Sequence, residues 1–191
     1  EAAKALGVEG FVADQSKLED TDRLVDYVRD RHGRVDVLFV NAGVFFPTPI
    51  GSFDEATFDS TMDINFKGAV FTLEKFVPLL SEGASVINLS SINAYTGMAN
   101  TAVYAASKAA MNAYTRTAAT ELAPRKIRVN AVNPGPVQTA IFGKTGMPED
   151  ALQGFAQAMQ ARIPLKQFGS PDAISALVTF LASDDAWFIT G

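Results

Sequence analysis

Short apolar runs alternate with longer segments of helical periodicity along the chain, and this alternation restricts the fold more than any single motif does. Val35 to Val40 is nearly all apolar, as a strand covered on both faces should be. Gly10 to Ala13, Ser85 to Leu89 and Lys126 to Val132 are three further strand candidates. Leu24, Val25 and Val28 mark the buried stripe of a first helix, which Gly33 ends. Phe58, Met62, Phe66, Val70, Leu73, Val77 and Leu80 recur at steps of three and four over a longer helix. Another helix runs from about Ala102 to Ala123, a weak one from Pro148 to Ala161, and a last one ends at Ala182. Ser16 with Glu19, and Ser52 with Glu55, read as capping boxes. Ser170-Pro171 reads as an N-cap followed by proline at the first helical position. Strand, helix, strand, helix implies parallel βαβ units: an α/β fold with helices on both faces of a doubly wound parallel sheet.

Composition narrows the chemistry. Apolar residues make up 48% of the 191 residues, enough for a buried core. A net charge of −5 argues against an electrostatic grip on nucleic acid or anionic lipid. The absence of cysteine excludes disulfides, thiol catalysis and Cys-based zinc sites. The single histidine, His32, excludes multi-His metal sites and most His-dependent triads, so no metal is expected. Its place before Gly33 suggests a surface position at a helix end. No apolar run reaches the ~18 residues of a membrane span, and no basic-then-apolar leader is seen, so a cytoplasmic location is expected. The chain opens on Glu1 rather than Met and closes on Ile189-Thr190-Gly191, and it is expected to be a piece of a longer protein, cut at both ends.

In parallel sheets, ligands bind beyond the carboxyl ends of the strands. Here those ends carry Asp14, Asn41-Ala42-Gly43, Ser90-Ser91 and Asn133-Pro134-Gly135. Tyr104 and Lys108 stand four apart on a helix and share a face. An ammonium group near a phenol favours phenolate, so Lys108 is expected to lower the Tyr104 pKa and make it a general acid/base. Taken alone, the same pair also suits an ordinary solvated helix face. Ser91 suits either a hydroxyl aimed at a substrate carbonyl or a plain turn cap. Asn65 is a poor helix-interior residue, which suggests a kink or a bound water, or else an exposed polar position. Asn41-Ala42-Gly43 and Pro134-Gly135 suit close approach by a flat ligand, or simple tight turns. Phe45, Phe46, Ile92, Tyr95, Met98, Ile141, Phe142 and Phe155 are candidates for an apolar pocket wall.

Taken together, Asn41-Ala42-Gly43, Asn65, Ser91, Tyr104-Ala105-Ala106-Ser107-Lys108 and Asn133-Pro134-Gly135 with Val137 and Thr139 resemble the short-chain dehydrogenase/reductase family, in order, spacing and context. The resemblance covers essentially the whole chain. It implies one Rossmann-like domain over residues 1–191, in three layers α/β/α, lacking the first βαβ unit and its glycine-rich fingerprint. It also implies carbonyl–alcohol interconversion with NAD or NADP on a small-molecule substrate. By the same resemblance Tyr104 moves the proton, Lys108 holds the nicotinamide ribose, Ser91 orients the carbonyl and Asn65 holds a relay water. Asp14 would contact the adenine, Asn41, Ala42 and Gly43 would line the adenosine, and Pro134, Gly135, Val137 and Thr139 would embrace the nicotinamide. Residues 137–169 would form a substrate lid, and two helices would pair in a homodimer or homotetramer. A scaffold relative without turnover, and a dehydratase or epimerase on the same Tyr-Lys pair, are the alternatives. The fold would place the Gly10 to Ala13 strand outermost, beside the missing strands.

Overall fold

A computed structural model describes residues 2–139 and 149–191. Strands β1 (Val35–Val40), β2 (Leu80–Leu89) and β3 (Arg128–Val132) pair in parallel in the order β1-β2-β3. Leu38 lies opposite Val86, and Val86 opposite Val129. A short helix α1 (Ala2–Leu6) and helix α2 (Leu18–His32) precede the sheet. Helices α3 (Glu55–Met62) and α4 (Ala69–Phe76) carry the chain from β1 to β2, and α5 (Ala102–Leu122) carries it from β2 to β3. Helices α6 (Glu149–Arg162) and α7 (Pro171–Ala182) follow.

The period of two along a strand sorts the core into layers. Val86 points to one face, where it packs with Leu73 of α4 and with Ala118 and Ala119 of α5. Its neighbour Ile87 points to the other face and packs with Leu181 of α7. The sheet therefore lies open between helices on both faces, as the alternation of patterns implies.

Several local expectations change. Val35 to Val40 is not covered on both faces: Val37 is 44% exposed, because α7 packs on β2 and its core includes no residue of β1. Gly10 to Ala13 joins no ladder, and Val12 is 94% exposed. With no strand pairing beside them among the described residues, an apolar run is not enough to make these residues a strand. Ser16 does not cap α2; its hydroxyl donates to Asp14 Oδ1 at 2.7 Å, and the N-cap is Lys17 without a side-chain bond. Asp54, rather than Ser52, caps α3 by accepting from Thr57 N–H at 2.9 Å, since a carboxylate stands nearer the first turn. The caps at Gly33 (φ 75°) and Ser170 form as expected, Ser170 accepting from Ala173 N–H. Helix α6 occupies the span read as a weak helix; Pro148, its expected first residue, lies outside the described residues.

The long helix is interrupted. Asp63–Gly68 forms a π-helical turn between α3 and α4, with Asn65 inside it. A π turn shifts the hydrogen-bond ladder by one residue and swings side chains off the α face. Gly68 makes room for this: a Cβ there would stand 2.2 Å from Gln15 O, while Gln15 Nε2 donates to Ile64 O at 2.8 Å.

Candidate active site

The carboxyl ends of β1 and β2 and the start of α5 converge. Asn65, buried in the π turn, accepts from Val44 N–H at 2.8 Å and donates to Val44 O at 2.9 Å. Its Nδ2 also reaches Ser107 Oγ at 3.3 Å, and Ser107 Oγ donates to Tyr104 O at 2.7 Å. Asn65 thus stitches the segment after β1 to the helix that carries Tyr104 and Lys108. An asparagine that satisfies both groups of a loop residue is neither an idle surface polar residue nor a random kink.

Lys108 is 4% exposed and donates to Leu89 O at 2.8 Å. Its backbone carbonyl accepts from Ser90 Oγ at 3.0 Å, which ties α5 to the end of β2. Burial lowers the Lys108 pKa from 10.5 to about 8. The ammonium lies 5.8 Å from the centre of the Tyr104 ring.

Tyr104 departs from the expectation of an acidified phenol. Burial raises its pKa above 10.0, and the Ser91 hydroxyl, which stabilises the phenolate, opposes that shift only in part. Lys108 does not offset it: its Nζ is held by Leu89 O, 5.8 Å from the centre of the ring. The Phe45 ring meets the Tyr104 ring edge-on at 5.3 Å, adding an apolar wall. The phenol is thus held protonated at neutral pH.

Ser91 is a turn cap that stands beside Tyr104. Its oxygen accepts from Asn93 N–H at 3.1 Å, capping the short turn Ile92–Ala94, and the same hydroxyl faces the Tyr104 phenol. A hydroxyl can accept and donate at once.

The turn after β3 comes to the same edge. Pro134 O accepts from Ile92 N–H at 3.0 Å, and Asn133 Oδ1 accepts from Asn112 Nδ2 at 2.9 Å. Val137 bridges Gly169, so the two ends of the 137–169 segment lie side by side. Thr139 is exposed. Asp14 is bonded within its own turn, where its carboxylate accepts from Ser16, and it joins none of the Tyr104 contacts. His32 is on the surface, beside Glu9 at 3.1 Å. Of the pocket-wall candidates, Phe45 stands on Tyr104, Ile92 and Tyr95 are exposed, and Ile141, Phe142 and the Phe155 side chain lie outside the described residues.

Sequence reasoning named Ser90 and Ser107 within their motifs but gave them no part in fixing the site, and it did not single out Asn112. Helical spacing could have pointed to the last two, since Ser107 follows Tyr104 by three and Asn112 follows Lys108 by four.

Asn41, Ala42 and Gly43 are exposed at the end of β1. A Cβ on Gly43 would stand 3.3 Å from Asn65 Oδ1 and 3.6 Å from Lys108 Nζ, so glycine keeps open the approach to the ammonium. A buried donor beside bare backbone fits the ribose and carboxamide side of a dinucleotide. No group of three or more His, Cys, Asp or Glu able to hold a metal occurs among the described residues. None of the described helices is long and apolar enough to cross a membrane.

Comparison with known proteins identifies the family. The family model described as enoyl-(acyl carrier protein) reductase matches residues 1–191. Human dehydrogenase/reductase SDR family member 4 is 35% identical over 192 residues, covering 98% of this chain and 67% of the relative. The crystal structure of levodione reductase superposes with a TM-score of 0.90 at 34% identity, covering 96% of this chain and 73% of that one. A blue fluorescent protein from a metagenomic library, solved with NADPH, superposes with a TM-score of 0.87 at 29% identity, covering 99% and 75%. The chain belongs to the short-chain dehydrogenase/reductase family of NAD(P)-dependent oxidoreductases.

Proposed function

We propose that the protein reduces a small-molecule carbonyl to an alcohol, with Tyr104 as the general acid. The observation that carries this reading is the Tyr104 phenol: half-buried, held protonated, and met by the Ser91 hydroxyl. A bound NADPH or NADH supplies the hydride. Ser91 donates to the substrate oxygen and holds it beside the phenol. Tyr104 gives its proton to that oxygen as negative charge develops, so the alcohol leaves neutral. The phenolate that remains is stabilised by the Ser91 hydroxyl and is reprotonated from solvent. Asn65, in its π turn, holds the water that carries this proton, and Lys108 stands between that water and Tyr104. In the reverse reaction the same group, as phenolate, would take the proton from the alcohol.

Lys108 holds the nicotinamide ribose, and Asn41, Ala42 and Gly43 line the adenosine side. Pro134, Gly135, Val137 and Thr139 close over the nicotinamide, and Asp14 contacts the adenine. Residues 137–169 would form the substrate lid, of which 140–148 lie outside the described residues. Its bridged ends and an apolar cavity of about 210 Å³ between Val137, Thr139, Leu152, Ala156, Met159 and Phe168 support that role and favour a substrate with an apolar body. The exposed Phe58 and Phe71 on the long helical segment support a homodimer or homotetramer through α4 and α5.

Tyr104→Phe tests the reading. Turnover should fall about 10²- to 10⁴-fold, the usual worth of a positioned acid. Cofactor affinity, read by NAD(P)H fluorescence, should stay within about twofold of wild type. A Tyr104→Phe variant that keeps its turnover overturns the assignment.

A further inference from the structure

Helix α5 begins two residues before Tyr104, so whatever fixes its first turn also fixes the phenol. Its own N-cap, Thr101, supplies no side-chain cap; the Thr101 hydroxyl donates instead to Met98 O at 2.8 Å. The N–H of Val103 would then lack an acceptor in a buried place. The acceptor comes from Thr48, 55 residues earlier, whose Oγ1 lies 3.1 Å from Val103 N. Thr48 N–H donates to Asn100 O at 2.8 Å, and Thr48 bridges Thr101 as a parallel strand would. Thr48 is 1% exposed, so water does not compete for these bonds.

Thr48 belongs to a loop fastened at both ends. Val44, at its start, is held by Asn65 through both backbone groups. Phe45 follows and stands edge-on to the Tyr104 ring. We propose that Thr48 is a positioning residue that caps α5 from a distant segment and thereby sets the height and rotation of Tyr104 relative to Ser91. The proposal rests on the reading of Tyr104 as the proton donor. A helix capped only by its own sequence could slide or fray at its first turn without disturbing the loop after β1. Here the two move as one body, because the same five residues grip the π turn, the tyrosine ring and the helix end.

Valine has nearly the shape of threonine but cannot accept a hydrogen bond, whereas serine can. With Thr48→Val, kcat should fall about tenfold, since displacing a reacting group by a fraction of an ångström costs between about one and two powers of ten. The affinity for NAD(P)H should change by less than about twofold, because the residue touches no part of the proposed cofactor site. Thr48→Ser should recover kcat to within about twofold of wild type, which a role in filling space alone would not give. An unchanged kcat in Thr48→Val, a Thr48→Ser as slow as Thr48→Val, or an equal loss of cofactor affinity overturns the proposal. Amide hydrogen exchange at Val103 needs neither variant nor turnover. Strong protection in the wild-type protein is expected, and exchange as fast as that of exposed loop amides refutes the cap even if Thr48→Val does not fold. A wild-type protein without turnover on any carbonyl would instead refute the role of Tyr104, with the cap still decided by the exchange at Val103.

Discussion

Replacing Lys108 by methionine should stabilise the protein at neutral pH while abolishing its turnover. Burial alone takes the ammonium from 10.5 to about 8. That drop corresponds to ~3 kcal/mol against the charged form in the folded state. Below pH 8 both the folded and the unfolded chain carry the proton, and the folded state bears the full cost. Between 8 and 10.5 the folded state gives up its proton first, so this contribution rises with pH and the cost disappears. Methionine keeps the unbranched stem and removes the charge. It also forfeits the donation from Nζ to Leu89 O, worth ~2 kcal/mol while the group is charged. The balance is a gain of ~1 kcal/mol at pH 7, or a Tm higher by about 2–4 °C. Above pH 10 only the lost hydrogen bond remains, and the variant should be less stable than wild type by ~1 kcal/mol. Urea unfolding of both proteins at pH 7, 8.5 and 10, read as a difference at each pH, cancels the other groups that titrate there. A Lys108→Met protein less stable than wild type at pH 7, or an offset that does not change with pH, refutes the assignment of a desolvated ammonium.

Two further outcomes follow from the same geometry. The Ser91 hydroxyl is what holds the Tyr104 pKa down against burial, so Ser91→Ala should raise it further. The alkaline limb of carbonyl reduction should move to higher pH while kcat falls, and a limb that stays in place refutes the contact. Gly68→Ala puts a methyl group 2.2 Å from Gln15 O, a backbone atom that cannot swing aside, and should cost ~2–3 kcal/mol in urea unfolding; a loss no larger than the few tenths typical of a surface change would show that the loop at Gln15 does not press on the π turn.

The alternation of strands and helices was legible because each element carries its own period. The set Asn41, Asn65, Ser91, Tyr104 and Lys108 was legible through its resemblance to the short-chain dehydrogenase/reductase family, since each residue taken alone also suited an ordinary structural role. What failed was local chemistry decided by competing partners, one of them near in sequence and the others distant. Ser16 has the residue type and spacing of a capping box, yet its hydroxyl turns to Asp14, which is nearer. Gly10 to Ala13 has the composition of a strand, but pairing is a property of two segments and no single window contains it. The Tyr104 pKa was misjudged for the same reason. Spacing along a helix places Lys108 near the phenol, but it says nothing of Leu89 O, which holds the ammonium, or of Phe45, which helps to bury the ring. Thr48 left no sequence signal because its bond spans 55 residues.

The departures from local rules fall in one place. An asparagine stands inside a helix, a lysine is buried without a carboxylate, a tyrosine is pushed away from ionisation, and a glycine keeps a backbone bare. The buried ammonium, the helix-interior asparagine and the bare glycine each cost stability on their own, and each of the four touches another or a residue between them. Elsewhere the chain follows its patterns: Val86 and Ile87 sort to opposite cores, and Ser170 caps α7. A chain shaped by packing alone would relieve these costs with an apolar residue at Lys108 and an ordinary helical turn at Asn65. That it does neither, and adds Ser90, Ser107 and Thr48 to hold the arrangement still, is the physical argument for proposing this edge of the sheet as the site of the chemistry.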